Sequence, residues 1–322
     1  MPTRDDLALA QYNKDANAIL AKHGKTFYWA RFFLSKDAAQ KATRLYRFCR
    51  YIDDLADEAI DQNQAKNVLG DVIKSLEQSS ASDPVIADAI ALFAACEIPI
   101  EVPIALIRGV MSDLTIVRLK TEAELLKYCY QVAGTVGIMM CRVLGVSDSK
   151  ALYHAIDLGI AMQLTNICRD VHADAVMNRI YLPRAIFGLD STARIITLDE
   201  ESHKKLIESL NLLLKQADTY YASAYSGLCF LPFRSRVSIL IAARLYQKIG
   251  DQMQKKSFAN WGDKAYVPLP LKLLTSLQAC CKALIDPQFW VYQHTHNAQL
   301  HYRITPLPFC NSQAQSVSRN HE

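Results

Sequence analysis

Asp53, Asp54 and Asp57 fall within FCRYIDDLADE, residues 48–58, and Asp170 and Asp174 within MQLTNICRDVHADAVMNRIYLP, residues 162–183. On a helix, aspartates at i and i+4 lie one turn apart and repel each other by about a few tenths of a kcal/mol. A single such pair is ordinarily a solvated acidic face. Two pairs, each with arginine close by, point further. Their oxygen donors suit Mg²⁺, with Mn²⁺ as a substitute, and ions held between facing pairs would grip a diphosphate and polarise it as a leaving group. Gln163, Asn166, Asp170 and Asp174 follow one another by three, four and four residues, which puts them in a narrow sector of one helix face. Arg50 lies three residues before Asp53, Arg169 directly before Asp170, and Arg179 five residues after Asp174. The planar guanidinium fork matches phosphate oxygens, although any one of these arginines taken singly reads as a surface ion pair.

The elements that carry these groups read as helices. Leu45, Phe48, Cys49, Ile52, Leu55 and Ala56 form one apolar stripe beside the first acidic pair. Leu164, Ile167, Cys168 and Val171 back the second. Periodicity and breaks predict helices over 4–22, 36–60, 63–78, 83–95, 101–111, 121–144, 149–175, 200–225, 234–254 and 269–283, with almost no strand signal. No Gly- or Ser-rich linker and no repeat divides the chain. The expectation is one all-α domain over residues 1–287. Residues 288–322 form a C-terminal tail with several histidines and aromatics but no period, expected to be disordered from Thr305.

With 322 residues, 51% of them hydrophobic, the chain has ample material for a core. Its net charge of +4 is spread without a basic tract, which argues against a nucleic-acid partner. The nine cysteines are odd in number and scattered, with neither a zinc spacing nor a disulfide framework; a reducing, cytoplasmic setting fits. The N-terminal MPTRDDLALAQYNKD is too polar for a signal peptide. The longest uncharged apolar run, Tyr128 to Cys141, contains Gln131 and is too short to span a bilayer, so any membrane association is expected to be peripheral. Oligomeric state leaves no signature.

Several segments, in order over residues 20–285, resemble the squalene/phytoene synthase family of head-to-head prenyl synthases. HGKTF, from His23 to Phe27, resembles its N-terminal diphosphate-side motif, and YRFCRYIDDLADE its first aspartate motif. YCYQVAGTVG resembles the segment lining its substrate cavity, QLTNICRDVHADAVMNRIYLP its second aspartate motif, and LPFRSRVSILIAARLYQKIG its late helix. The resemblance implies an all-α isoprenoid synthase bundle with a central active-site cavity. It implies that Asp53, Asp57, Asn166, Asp170 and Asp174 hold Mg²⁺ and that Lys25, Arg50, Arg169 and Arg179 contact phosphates. It places Tyr128, Gln163, Tyr181 and Tyr246 near the reacting carbons, Tyr181 among the catalytic residues. His23, Thr26, Phe27, Val132, Ala133 and Gly137 complete the substrate-binding set. Gly134 and Gly137 sit mid-helix, where glycine costs about 1 kcal/mol relative to alanine; approach of a prenyl chain or of another helix would explain them.

Two departures bear on the metal site. The family usually has Glu where this chain has Ala173, and often two basic residues where it has Val176 and Met177. The implied reaction joins two geranylgeranyl diphosphates, through a cyclopropylcarbinyl diphosphate, into 15-cis-phytoene of carotenoid biosynthesis. The alternative is a squalene or dehydrosqualene synthase using farnesyl diphosphate. A non-catalytic assembly factor of the same fold is disfavoured by the intact aspartates. A two-metal hydrolase would need a water-activating base, for which His172 is the nearest group.

Overall fold

The structure is a computed structural model that describes residues 18–22, 24–188, 191–255, 258, 267–292 and 295–311. His23, and all of the helix predicted over 4–22 except its last turn, lie outside the described residues. The elements in chain order are α1 (Lys25–Arg31), α2 (Lys36–Asp57), α3 (Gln62–Glu77), α4 (Pro84–Ala95), α5 (Glu101–Ser112), β1 (Val117–Arg118), α6 (Glu122–Cys129), α7 (Thr135–Val143), α8 (Ser149–Val176), β2 (Arg179–Ile180), α9 (Arg184–Phe187), α10 (Thr192–Ile196), α11 (Glu200–Ser226), α12 (Phe233–Lys255), α13 (Leu269–Ile285) and α14 (Pro287–Trp290). The fold is all-α, as the periodicity predicts. Side-chain caps set several helix starts: Ser35 accepts from the Ala38 amide, Asp83 from Val85 and Ile86 with Pro84 following, and Asp148 from Lys150.

The 28-residue α8 is the central element, packed along α11 and against α7 and α12. Its crossing with α7 depends on glycine. A Cβ on Gly137 would lie 2.1 Å from the Ala155 carbonyl oxygen, and one on Gly159 would lie 2.2 Å from that of Ala133. Backbone meets backbone there, which accounts for Gly137 by helix packing, and Gly137 also lines a cavity inside the bundle. The helix predicted over 121–144 is interrupted: Tyr130–Gly134 form a π-helical turn between α6 and α7. Such turns shift the side chains that follow and are frequent at functional sites. Periodicity does not reveal a one-residue insertion inside an apolar run.

Two further features depart from expectation. β1 and β2 pair in parallel, Val117 with Arg179 and Arg118 with Ile180, tying the segment after α8 to the end of α5. The described part of the expected tail is packed rather than loose. Ile304 and Cys310 are buried, the Tyr130 hydroxyl donates to the Pro308 carbonyl at 2.7 Å, and Tyr220 donates to the Leu300 carbonyl at 2.8 Å. These residues join the core through turns, which carry no period to read. One contiguous hydrophobic core runs from Leu34 to Cys310. No helix among the described residues is long and apolar enough to cross a membrane.

Candidate active site

Helix α2 buries Phe48 and Ile52 in the core, which turns Asp53 toward a cavity inside the bundle. Loss of water, and next the neighbouring Asp57 carboxylate, push the Asp53 carboxyl up to about 7. Asp57 is exposed and accepts from Arg179 at 3.0 Å. Arg50 forms an ion pair with Asp54 one turn on, so in this state it is held by a carboxylate rather than free for phosphate.

Helix α8 buries Leu164, Ile167 and Val171, leaving the opposite sector for polar groups. Arg169 grips Asp170 through two bonds, Nε to Oδ1 at 3.0 Å and a second guanidinium nitrogen to Oδ2 at 2.6 Å. Asp174 acts on the same guanidinium through its charge. Asn166 donates to Gln163 at 3.3 Å, and its own Oδ1 is buried without a hydrogen-bond partner among the described residues. An unpartnered buried carbonyl-type oxygen beside carboxylates is a donor atom suited to a hard cation.

The cavity, of about 300 Å³, is lined by residues of α1, α2, the π turn, α7, α8 and α12. Asp53, Gln163 and Asn166 form its polar end; Phe27, Val132, Ala133, Gly137 and Tyr246 line the rest together with aliphatic side chains. Phe27 lies between Tyr246, at 5.3 Å between ring centroids, and Tyr46, at 6.4 Å. A smaller cavity of about 70 Å³ shares Gly137, Met140, Leu158 and Ile239 with the first, so the two lie side by side.

Tyr128 and Tyr181 are not among the cavity walls. They stack on each other at 4.6 Å, and both hydroxyls donate to Asp113, at 2.9 and 2.8 Å. Burial pushes the Asp113 carboxyl up to about 6, against the pull of the two hydroxyls and of Arg179. Asp113, just past the end of α5, orders both tyrosines and sits within the field of Asp57 and Arg179. The sequence gives no spacing that would single it out. Tyr46, a cavity wall next to Asp53 and Tyr246, was likewise unmarked. Lys25 is exposed at the start of α1, within the field of Lys272, and Thr26 is half-buried beside it. Val176 and Met177 are exposed at the end of α8.

An all-α bundle that encloses a largely apolar cavity, with Asp53, Gln163 and Asn166 in its lining, is the helical fold of isoprenoid synthases. The chain belongs to the squalene/phytoene synthase family, whose description matches residues 20–272. It is 31% identical over 271 residues to the 15-cis-phytoene synthase of Enterobacter agglomerans, covering 81% of this chain and 92% of that protein. It is 32% identical over 292 residues to the chloroplastic phytoene synthase 2 of Solanum lycopersicum, covering 84% and 90%. Among solved structures, a ligand-bound dehydrosqualene synthase superposes with a TM-score of 0.75 at 26% identity, covering 86% of this chain and 98% of that one.

Proposed function

We propose that the protein joins two geranylgeranyl diphosphates head to head to give 15-cis-phytoene. The observation that carries this reading is the cavity: carboxylate and amide oxygens from Asp53, Gln163 and Asn166 together with apolar and aromatic walls, with a second, smaller apolar cavity beside it. Likeness to bacterial and plant phytoene synthases supports the C20 substrate. Likeness to a dehydrosqualene synthase favours, as second reading, the C15 one.

Asp53, Asp57, Asn166, Asp170 and Asp174 offer oxygen donors only, and the orphaned Asn166 oxygen and the electrostatically strained Asp53 fit a divalent cation. These residues would hold Mg²⁺, which when bound neutralises diphosphate and helps it leave. Arg169 and Arg179, paired with Asp170 and Asp57 respectively, exchange a carboxylate for phosphate oxygens when substrate arrives. Loss of diphosphate leaves an allylic cation whose C1 bonds to the 2,3 double bond of the second substrate; a proton is lost and a cyclopropylcarbinyl diphosphate remains. Departure of the second diphosphate, rearrangement and loss of another proton give the linear product. The rings of Phe27, Tyr46 and Tyr246 present π faces that stabilise passing cations. The aliphatic walls keep out water, which would otherwise trap those cations as alcohols. Asp113 fixes the Tyr128 and Tyr181 hydroxyls beside the metal-binding end.

The protein works at a membrane surface from the cytoplasmic side, since substrate tails and product are lipidic. The exposed Leu269, Leu273 and Leu277 of α13 support this. Incubation with radiolabelled geranylgeranyl diphosphate or farnesyl diphosphate, with product analysis, tests the assignment. Phytoene from the first at the higher kcat/KM is expected; a C30 product formed faster from the second would overturn the C20 reading, and no diphosphate release from either would favour a non-catalytic role.

A further inference from the structure

Asp157 lies on α8, thirteen residues before Asp170 and well away from the cavity's polar end. Its side chain is fully buried. A buried carboxylate is costly unless its charge is compensated. Three groups meet it. Ser223 Oγ donates to Oδ2 at 2.5 Å, His296 Nε2 approaches Oδ2 at 2.9 Å, and His301 Nε2 approaches Oδ1 at 2.7 Å. Its ion-pair partners among the described residues are both imidazoles; neither Lys nor Arg pairs with it.

The two histidines come from the turns after α14 and are themselves almost wholly buried, with side chains 4% and 2% exposed. On both rings Nδ1 is buried and has no hydrogen-bond partner among the described residues. The nitrogen that faces Asp157 on both rings, and that would be the ligand atom, is Nε2. One carboxylate oxygen and one nitrogen from each ring lie within 4.8 Å of one another. The two histidines are five residues apart, within the range of paired zinc ligands.

We propose that Asp157, His296 and His301 form a zinc-binding site that fastens the C-terminal segment to α8. Nitrogen and carboxylate donors suit Zn²⁺, unlike the oxygen-only set at the aspartate-rich end, which suits Mg²⁺. Small ring rotations bring three ligand atoms around one ion, with water as the fourth ligand. A bound dication would offset the buried carboxylate's charge directly. The site lies outside the prenyl diphosphate chemistry and does not depend on which prenyl chain is used.

The test is the metal content of the purified full-length protein, dialysed first against Zn²⁺ and then against metal-free buffer. About one zinc per chain is expected. The variants H296Q and H301Q should each lose at least about four-fifths of it, whereas D170N should keep it, which separates this site from the aspartate-rich one. Cobalt substitution of the wild type should give the visible absorption of a nitrogen-ligated four-coordinate ion. Zinc should also raise the wild-type melting temperature, since a ligand that binds only the folded state stabilises it. A wild-type zinc content under about one-tenth per chain overturns the proposal and leaves a hydrogen-bonded latch. Zinc that D170N loses and the histidine variants keep overturns it as well. If the histidine variants do not fold, wild-type content, the cobalt spectrum and D170N still decide.

Discussion

Helix α8 carries a carboxylate centre toward each end, and the two are neutralised by different means. Asp157 is sealed from water and met by a hydroxyl and two imidazoles that arrive from residues 296 and 301. Asp170 is met by Arg169 beside it, and each of the two keeps about a fifth of its side-chain surface exposed (18% and 21%). At the cavity's polar residues the compensation is incomplete: Asn166 Oδ1 has no partner among the described residues and the Asp53 carboxyl is pushed up to about 7. A centre whose bonds are buried and fixed holds chain segments together. One whose arginines are partly exposed, and whose oxygens remain under-used, is arranged to exchange partners. That difference distinguishes a structural centre from a chemical one on a single helix.

Substitution at the two ends should therefore separate turnover from stability. The largest effect is expected for Asp53→Asn or Asp170→Asn: turnover falls at least about 100-fold, equivalent to about 2.7 kcal/mol of transition-state stabilisation, while the melting temperature stays within a few degrees. Steady-state kinetics on variants with unchanged circular dichroism checks this, and unchanged turnover would make the carboxylates surface decoration. Asp54→Asn is the internal control, because Asp54 is engaged with Arg50 and not with the cavity; it should matter far less. At the other end, His301→Ala removes one of the two imidazoles from a buried carboxylate. About 3 kcal/mol of stability should be lost, read from the denaturant midpoint, with much less effect on turnover per folded molecule than Asp170→Asn. A turnover loss as large as that of Asp170→Asn would erase the contrast. Smaller still is Asp113→Asn, which keeps the shape but weakens two hydrogen bonds from tyrosine to a charged acceptor. About 1.5 kcal/mol, or roughly tenfold in kcat/KM, is expected, with the larger share in kcat.

Much of the chemical end was legible in sequence because its residues recur at helical spacing. Gln163, Asn166, Asp170 and Asp174 share a face of α8, and the stripe from Leu45 to Ala56 orients Asp53 by burying the other side of α2. Arg169 and Arg179 could be placed near the aspartates, but not paired with Asp170 and Asp57, since side-chain pairing depends on how the helices meet. Tyr128 and Tyr181 illustrate the same limit. Their stacking on each other and their shared hydrogen bonds to Asp113 come from packing between elements and have no spacing to mark them. The structural end was illegible. Asp157 looks like one more residue of an apolar helix, and its partners lie 139 and 144 positions away in turns with no period. Contacts of that span are made by tertiary packing, and neither propensity nor spacing encodes them.

On the proposed reading the aspartates of α2 and α8 hold a divalent cation that releases diphosphate from a prenyl substrate. Diphosphate release from geranylgeranyl diphosphate, followed as Mg²⁺ is titrated into chelator-treated protein, tests it most directly. No release above background is expected in excess chelator, with recovery on adding Mg²⁺ or Mn²⁺ and no recovery at the same concentrations for Asp53→Asn. Full release in excess chelator would contradict it.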